Sequence, residues 1–173
     1  MISYVDLYLI HWPAPHRIET WKALERLYKD GKTRAIGVSN YVIRHLEEIF
    51  SHSSITPAVN QFELSPFLYL KDLIEFCKSK KIVVEAYCGL TRGRRFNNPE
   101  LKKLSIKYNK TPAQILLRWG LQHNIIEIPK SAHKDHIKEN AEIFDFNILN
   151  DDMDILNNLN ENFRVVDDPN DYE

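Results

Sequence analysis

The feature that most constrains this chain is a rhythm. Five short runs rich in β-branched or aromatic residues, Val5 to Ile10, Ala35 to Val38, Ala58 to Phe62, Ile82 to Tyr87 and Ile125 to Ile128, start 30, 23, 24 and 43 residues apart. Runs of this length and composition read as buried strands. The stretches between them have helical spacing. Trp21, Leu24, Leu27 and Tyr28 form a stripe closed by Lys29 and Gly31, and Asn40 is placed to cap a second helix carrying Val42, Leu46, Ile49 and Phe50. Leu70, Leu73, Phe76 and Cys77 mark a third. The long last gap holds Pro99 to Tyr108, then Thr111-Pro112-Ala113-Gln114, a capping box with Pro at the first helical position. After the fifth strand, His133 to Phe144 and Asp151 to Leu159 read as two more helices, followed by an acidic tail of Asp167, Asp168, Asp171 and Glu173 that is expected to be loose.

Strand and helix in alternation predict parallel strands joined by right-handed crossovers. A doubly wound dinucleotide fold would announce itself with G-x-G-x-x-G after a strand, but Gly31, Gly37, Gly89, Gly93 and Gly120 never have that spacing. A (β/α)8 TIM barrel fits the rhythm better. It needs eight strands and about 250 residues, so five βα units predict an incomplete barrel, with about three units expected to be missing at the front. A partial barrel domain over residues 1–165 with a tail at 166–173 is the expected organisation. The apolar share, 43%, is enough for a core, and 23 Lys and Arg against 24 Asp and Glu leave no bulk field to recruit nucleic acid or an anionic membrane. Two cysteines, Cys77 and Cys88, in apolar runs suit packed, reduced thiols, so a cytoplasmic setting is the expectation. No leader or membrane span is expected from the N-terminal residues.

A barrel puts its active site at the C-terminal ends of its strands, and those ends are polar here. They carry His11-Trp12-Pro13, Ser39-Asn40, Asn60-Gln61 with Glu63, Tyr87-Cys88 and Pro129-Lys130-Ser131. Singly, each has a simpler reading: a strand-ending His as a structural hydrogen-bond partner, Ser39-Asn40 as a helix cap, Gln61 as a partner for buried backbone. Lys130 and Ser131 are more suggestive, because a helix N-terminus flanked by a Lys and a hydroxyl is suited to phosphate.

In order and spacing, Tyr4-Val5-Asp6-Leu7-Tyr8-Leu9-Ile10-His11-Trp12-Pro13, Gly37-Val38-Ser39-Asn40-Tyr41, Asn60-Gln61-Phe62-Glu63 and Ile128-Pro129-Lys130-Ser131 resemble the aldo-keto reductase family. Leu116-Leu117-Arg118-Trp119 and Glu139-Asn140 followed by Phe144-Asp145-Phe146 agree with it, and the resemblance runs from residue 3 to about 165. It implies an NADPH-dependent oxidoreductase of the aldehyde reductase (alcohol dehydrogenase, NADP+) type. Such an enzyme reduces small aldehydes and ketones by direct hydride transfer without a metal, NADH being the second option as cofactor. The chain maps onto barrel strands four to eight. His11 matches the catalytic histidine that hydrogen-bonds the substrate carbonyl, and Trp12 matches the substrate pocket. Ser39, Asn40 and Gln61 match residues that hold the nicotinamide carboxamide, and Tyr87 matches the aromatic that stacks on its ring. Leu90 and Thr91 fall in the pyrophosphate loop, Lys130 and Ser131 match the 2′-phosphate site, and Glu139 and Asn140 match the adenine contacts.

Three departures stand out. Cys88-Gly89 replaces the usual Ser-Pro, which predicts a more flexible loop. His136 stands where an Arg forking onto the 2′-phosphate is usual, and imidazole is only partly charged near neutral pH. The Asp, Tyr and Lys that complete the family's catalytic set belong to strands before this chain starts. Inactivity of the chain alone is therefore expected. The other reading is a truncated non-catalytic nucleotide-binding relative or a gene fragment.

Overall fold

In the computed structural model, described here for residues 3–172, the strands are β1 (Val5–Ile10), β2 (Thr33–Ser39), β3 (Val59–Glu63), β4 (Val83–Tyr87) and β5 (Ile126–Glu127). They form one sheet in the order β1-β2-β3-β4-β5. Val5 lies opposite Thr33 and Ile10 opposite Val38 in the parallel β1–β2 pair, and Ser39 lies opposite Gln61 in the parallel β2–β3 pair. The strand order never reverses. This is the winding of a barrel rather than of a doubly wound sheet, whose order turns back at a switch point.

The chain divides into two compact units, one of residues 3–62, 71–85 and 167–172, the other of residues 63–70 and 86–166. In the first unit, helix α1 (Arg17–Lys29) buries Trp21 and Leu24 and ends as the Asp30 N–H returns to the Arg26 carbonyl at 2.9 Å. Helix α2 (Ile43–His52) buries Leu46 and Ile49 completely. Its cap differs from expectation. Asn40 has φ 65 and lies outside the helix, which begins after Val42, whose N–H donates to His45 Nδ1 at 3.4 Å. A short polar side chain tolerates that left-handed backbone better than most. Helix α3 (Lys71–Ser79) buries Leu73 and Cys77, and burial pushes the Cys77 thiol up to about 11.

The acidic tail is docked, not loose. Residues 169–171 form a 3-10 turn, with the Asp168 side chain accepting the Asn170 N–H at 2.9 Å. Arg44 donates to the Asn170 and Tyr172 carbonyls at 2.9 and 2.8 Å, and His45 Nε2 lies 3.0 Å from the Tyr172 carbonyl. The Tyr172 ring stacks on Trp12 at 5.0 Å. Charge composition failed as a guide here because the backbone carbonyls of the tail, not its carboxylates, meet the guanidinium.

The second unit contains helices α4 (Pro99–Tyr108), α5 (Pro112–Gln122), α6 (Lys134–Ala141) and α7 (Asn150–Asn157). Asn98 caps α4 by accepting the Glu100 and Leu101 N–H groups at 3.0 and 3.1 Å. The capping box of α5 forms as its sequence predicts, with Gln114 N–H to Thr111 Oγ1 at 3.2 Å and Thr111 N–H to Gln114 Oε1 at 3.1 Å. Ile115, Leu116, Leu117 and Trp119 bury α5 on nearly every side. Helix α6 stops at Ala141 instead of reaching Phe144. Gln114 Nε2 donates to the Glu139 and Glu142 carbonyls, Arg118 donates to the Ile143 carbonyl, and Phe144 is left 74% exposed. Side chains of α5 thereby satisfy the carbonyls at and beyond the C-terminus of α6. Helix α7 ends at Asn157, two residues short of the expected Leu159, and the Leu149 N–H before it donates to the Tyr108 hydroxyl at 2.8 Å. Among the described residues no helix is long and apolar enough to cross a membrane.

The strands at the two ends of the order carry exposed apolar side chains: Val5 and Tyr8 on β1 are 44% and 49% exposed, Ile126 on β5 is 46% exposed, and Ile128 beside it 41%. Each such side chain forfeits part of the roughly 1.5–3 kcal/mol that full burial contributes, against a domain stability of about 5–15 kcal/mol. An unpaired strand edge adds a template for association. The purified 173-residue chain should therefore elute as oligomers or aggregates in size-exclusion chromatography and bind a hydrophobic dye. A monodisperse monomer with a cooperative thermal transition would disprove this.

Candidate functional site

The residues singled out in the sequence fall into two clusters, one in each unit. In the first unit, the strand ends bring His11, Ser39, Asn40 and Gln61 together. Asn40 Nδ2 donates to the His11 carbonyl at 3.0 Å and to Ser39 Oγ at 3.2 Å, while the Asn40 N–H donates to the Gln61 carbonyl at 2.8 Å. Asn40 is 1% exposed and Ser39 2%, so one buried residue, through its side-chain amide and its backbone N–H, ties three strand ends. Gln61 Nε2 donates to Glu85 Oε1, which fixes its amide. The role of Asn40 is thus a cross-strand tie, not the helix cap. Trp12 lies beside His11 with ring centroids 6.5 Å apart, under the Tyr172 ring.

In the second unit, Leu90, Lys130, Ser131, His136, Glu139 and Asn140 line one cleft of about 350 Å³. Thr91 is not on its wall. It is buried, at 2% exposure, with Oγ1 lacking a hydrogen-bond partner, and the next residue, Arg92, lines the cleft instead together with Gly93, Phe96 and Ala113. The sequence reading missed Arg92, and its one signal was a cation inside the run 90–92 between Gly89 and Gly93. Ser131 Oγ accepts the His133 N–H at 3.1 Å, just ahead of α6. Glu139 is held by the Thr111 hydroxyl. Tyr87 is half-buried, and burial pushes its phenol well above the ordinary range.

The loop after β4 is not the slack segment that Cys88-Gly89 predicts. Thr91 N–H donates to the Cys88 carbonyl at 2.7 Å, Gly93 N–H to the Leu90 carbonyl at 2.8 Å, and Arg94 N–H to the Thr91 carbonyl at 3.1 Å. Gly89 is needed for space: a Cβ there would sit 2.6 Å from Glu127 Oε2. Gly120 makes room for the same carboxyl from α5. Glu127 was also missed, although a Glu inside Ile125-Ile126-Glu127-Ile128 was its signal. Its Oε2 is buried without a hydrogen-bond partner among the described residues, and burial pushes the carboxyl up to about 8. Glu63, at the end of β3, holds the Val165 and Val166 N–H groups at 2.7 and 3.2 Å. Among the described residues no group of three or more His, Cys, Asp or Glu is placed to hold a metal.

Parallel βα units in chain order, polar strand ends and a cation-lined cleft ahead of a helix are the parts of a nucleotide-binding barrel. The chain belongs to the Aldo/keto reductase family, whose model matches residues 1–161. It is 48% identical over 169 residues to "Glyoxal reductase" of Bacillus subtilis (strain 168), covering 97% of this chain and 61% of that protein. It is 43% identical to "9,11-endoperoxide prostaglandin H2 reductase" of Trypanosoma cruzi (strain CL Brener), covering 99% and 62%. A crystal structure of a Gox0644 variant in complex with NADPH superimposes with a TM-score of 0.93 at 39% identity, covering 99% of this chain and 65% of that one. The chain thus spans about three fifths of the length of the curated relatives it matches, and its five strands are part of their barrel.

The buried Glu127 carboxyl yields a pH dependence. Its folded value, about 8, lies above the ordinary 4.5, so the unfolded chain gives up this proton first as pH rises. The stability it contributes is fully present below about pH 4.5 and is lost as pH climbs to about 8. Glu127→Gln cannot ionise. Across pH 5 to 9 its thermal stability should gain on the wild type by up to about 4 kcal/mol. A difference between the two that stays constant with pH would show that Glu127 ionises normally.

Proposed function

We propose that this chain is the nucleotide-binding portion of an NADP(H)-dependent reductase of aldehydes and ketones. The observation that carries the reading is the second unit's cleft, where Lys130, Ser131, His136, Glu139 and Asn140 converge. The lining suits a phosphorylated adenosine. Leu90, Phe96 and Ala113 offer apolar walls for a base, Glu139 and Asn140 offer polar partners for its edge, and Lys130, Ser131 and His136 offer donors to a phosphate. No ion pair within 4.0 Å is found for Lys130 or His136 among the described residues, so both remain available to an anion.

In the first unit, His11 is proposed to donate a hydrogen bond from its imidazole to the substrate carbonyl oxygen, where negative charge grows as the carbon is reduced. Ser39, Asn40 and Gln61 are proposed to receive a carboxamide; in the second unit, Tyr87 is proposed to offer a flat apolar face. When bound, the dinucleotide supplies the hydride. Asn40 positions His11 through its carbonyl, since the tie at 3.0 Å fixes the backbone from which the imidazole projects. Trp12, braced by Tyr172, provides an aromatic wall for the carbonyl compound. Carbonyl reduction is assigned to the whole barrel, because this chain covers only 61–62% of its curated relatives.

Titration with NADPH should enhance its fluorescence, and Lys130→Ala should weaken binding about tenfold, the scale of one charge-assisted contact. The chain alone should not consume NADPH with 4-nitrobenzaldehyde at 340 nm. Absence of nucleotide binding by a folded chain would overturn the assignment.

A further inference from the structure

We propose that Arg92 selects for the 2′-phosphate of the nucleotide, adding a guanidinium to the Lys130 ammonium and the His136 imidazole on the cleft wall. The inference rests on the nucleotide reading of the second unit's cleft and adds a residue to it. Arg92 lines the same cleft as Lys130, Ser131 and His136. Among the described residues it has no ion-pair partner within 4.0 Å. Its hydrogen-bond partner is the Cys88 thiol, a weak and neutral one, since burial raises that thiol. Glu63 is close enough to feel its charge, but that carboxylate is committed to the Val165 and Val166 N–H groups. Glu139 on the cleft wall keeps its charge, since the Thr111 hydroxyl that holds one of its oxygens is neutral. Arg92 and Lys130 outnumber that one carboxylate among the lining residues, so the cleft carries an excess of positive charge.

The backbone argues that this placement is imposed. Thr91 and Arg92 both have φ 50, and Gly93 has φ 75, three consecutive residues in the left-handed region. Two non-glycine residues in a row adopt it only where the surroundings over-determine the turn. Here the buried Thr91 and the turn's hydrogen bonds do so, and the result is that side chain 91 faces inward while side chain 92 faces the cleft. A guanidinium matches phosphate with two parallel donors, whereas Lys130 is a point charge and imidazole is only partly charged near neutral pH.

The test is calorimetric titration of the 173-residue chain with 2′,5′-ADP and with 5′-AMP, which differ only in the 2′-phosphate. The wild type should prefer 2′,5′-ADP, and Arg92→Gln should cut that preference about tenfold while leaving 5′-AMP affinity within about twofold. Arg92→Lys should retain part of it. Arg92→Gly, which relieves the left-handed strain and so does not threaten the fold, should lose as much as Arg92→Gln, with an unchanged circular dichroism spectrum. A preference that survives both substitutions overturns the role of Arg92 and leaves the nucleotide reading standing. Equal weakening of both ligands also overturns it, because it would place the guanidinium on the phosphate they share. A wild type with a folded circular dichroism spectrum that binds neither ligand removes the nucleotide reading and the inference together.

Discussion

Parallel pairing of each strand with the next in the chain is the constraint on which everything else depends. Parallel neighbours cannot be joined by a tight turn, so each strand needs a crossover that returns the chain to its starting edge, and a helix is the compact solution. Every strand then ends facing the same way. Residues that follow the strands, such as His11, Asn40 and the segment after Tyr87, are able to carry polar chemistry, while Val38, Phe62 and Ala86 within the strands are buried.

Polar groups taken into the interior are the second theme, and they divide by whether they find partners. Asn40 is satisfied by the His11 carbonyl and Ser39, and Gln114 serves the Thr111 cap with one end of its amide and the carbonyls after α6 with the other. Such buried, paired groups give a single geometry, because any shift leaves a desolvated donor or acceptor. Glu127 is among those that do not: its orphan oxygen, packed against two glycines, is tolerated by staying protonated. That neutral carboxyl sits behind Gly89, at the root of the loop that presents Leu90 and Arg92, so space made for an unpaired group is part of what shapes the cleft.

Strand spacing, helix stripes, the Thr111 cap and the family motifs were all legible in the sequence, because each depends on residues close together in the chain. The run from Val5 to Ile10 and the helix from Pro99 to Tyr108 coincide with the observed elements. The gathering of Lys130, Ser131, His136, Glu139 and Asn140 follows from their nearness in sequence to β5 and α6.

Tertiary structure decided the rest, and in each case the deciding partner is remote in sequence. Asn40 was drawn from helix cap to strand tie by a carbonyl 29 residues away. The tail was ordered by Arg44, and α6 was shortened by Gln114 and Arg118. The sequence by itself determined which elements form and which family they belong to, since periodicity and capping are local. Only the folded chain decided which side chains meet, since desolvation and pairing act between residues that the backbone brings together after the elements exist.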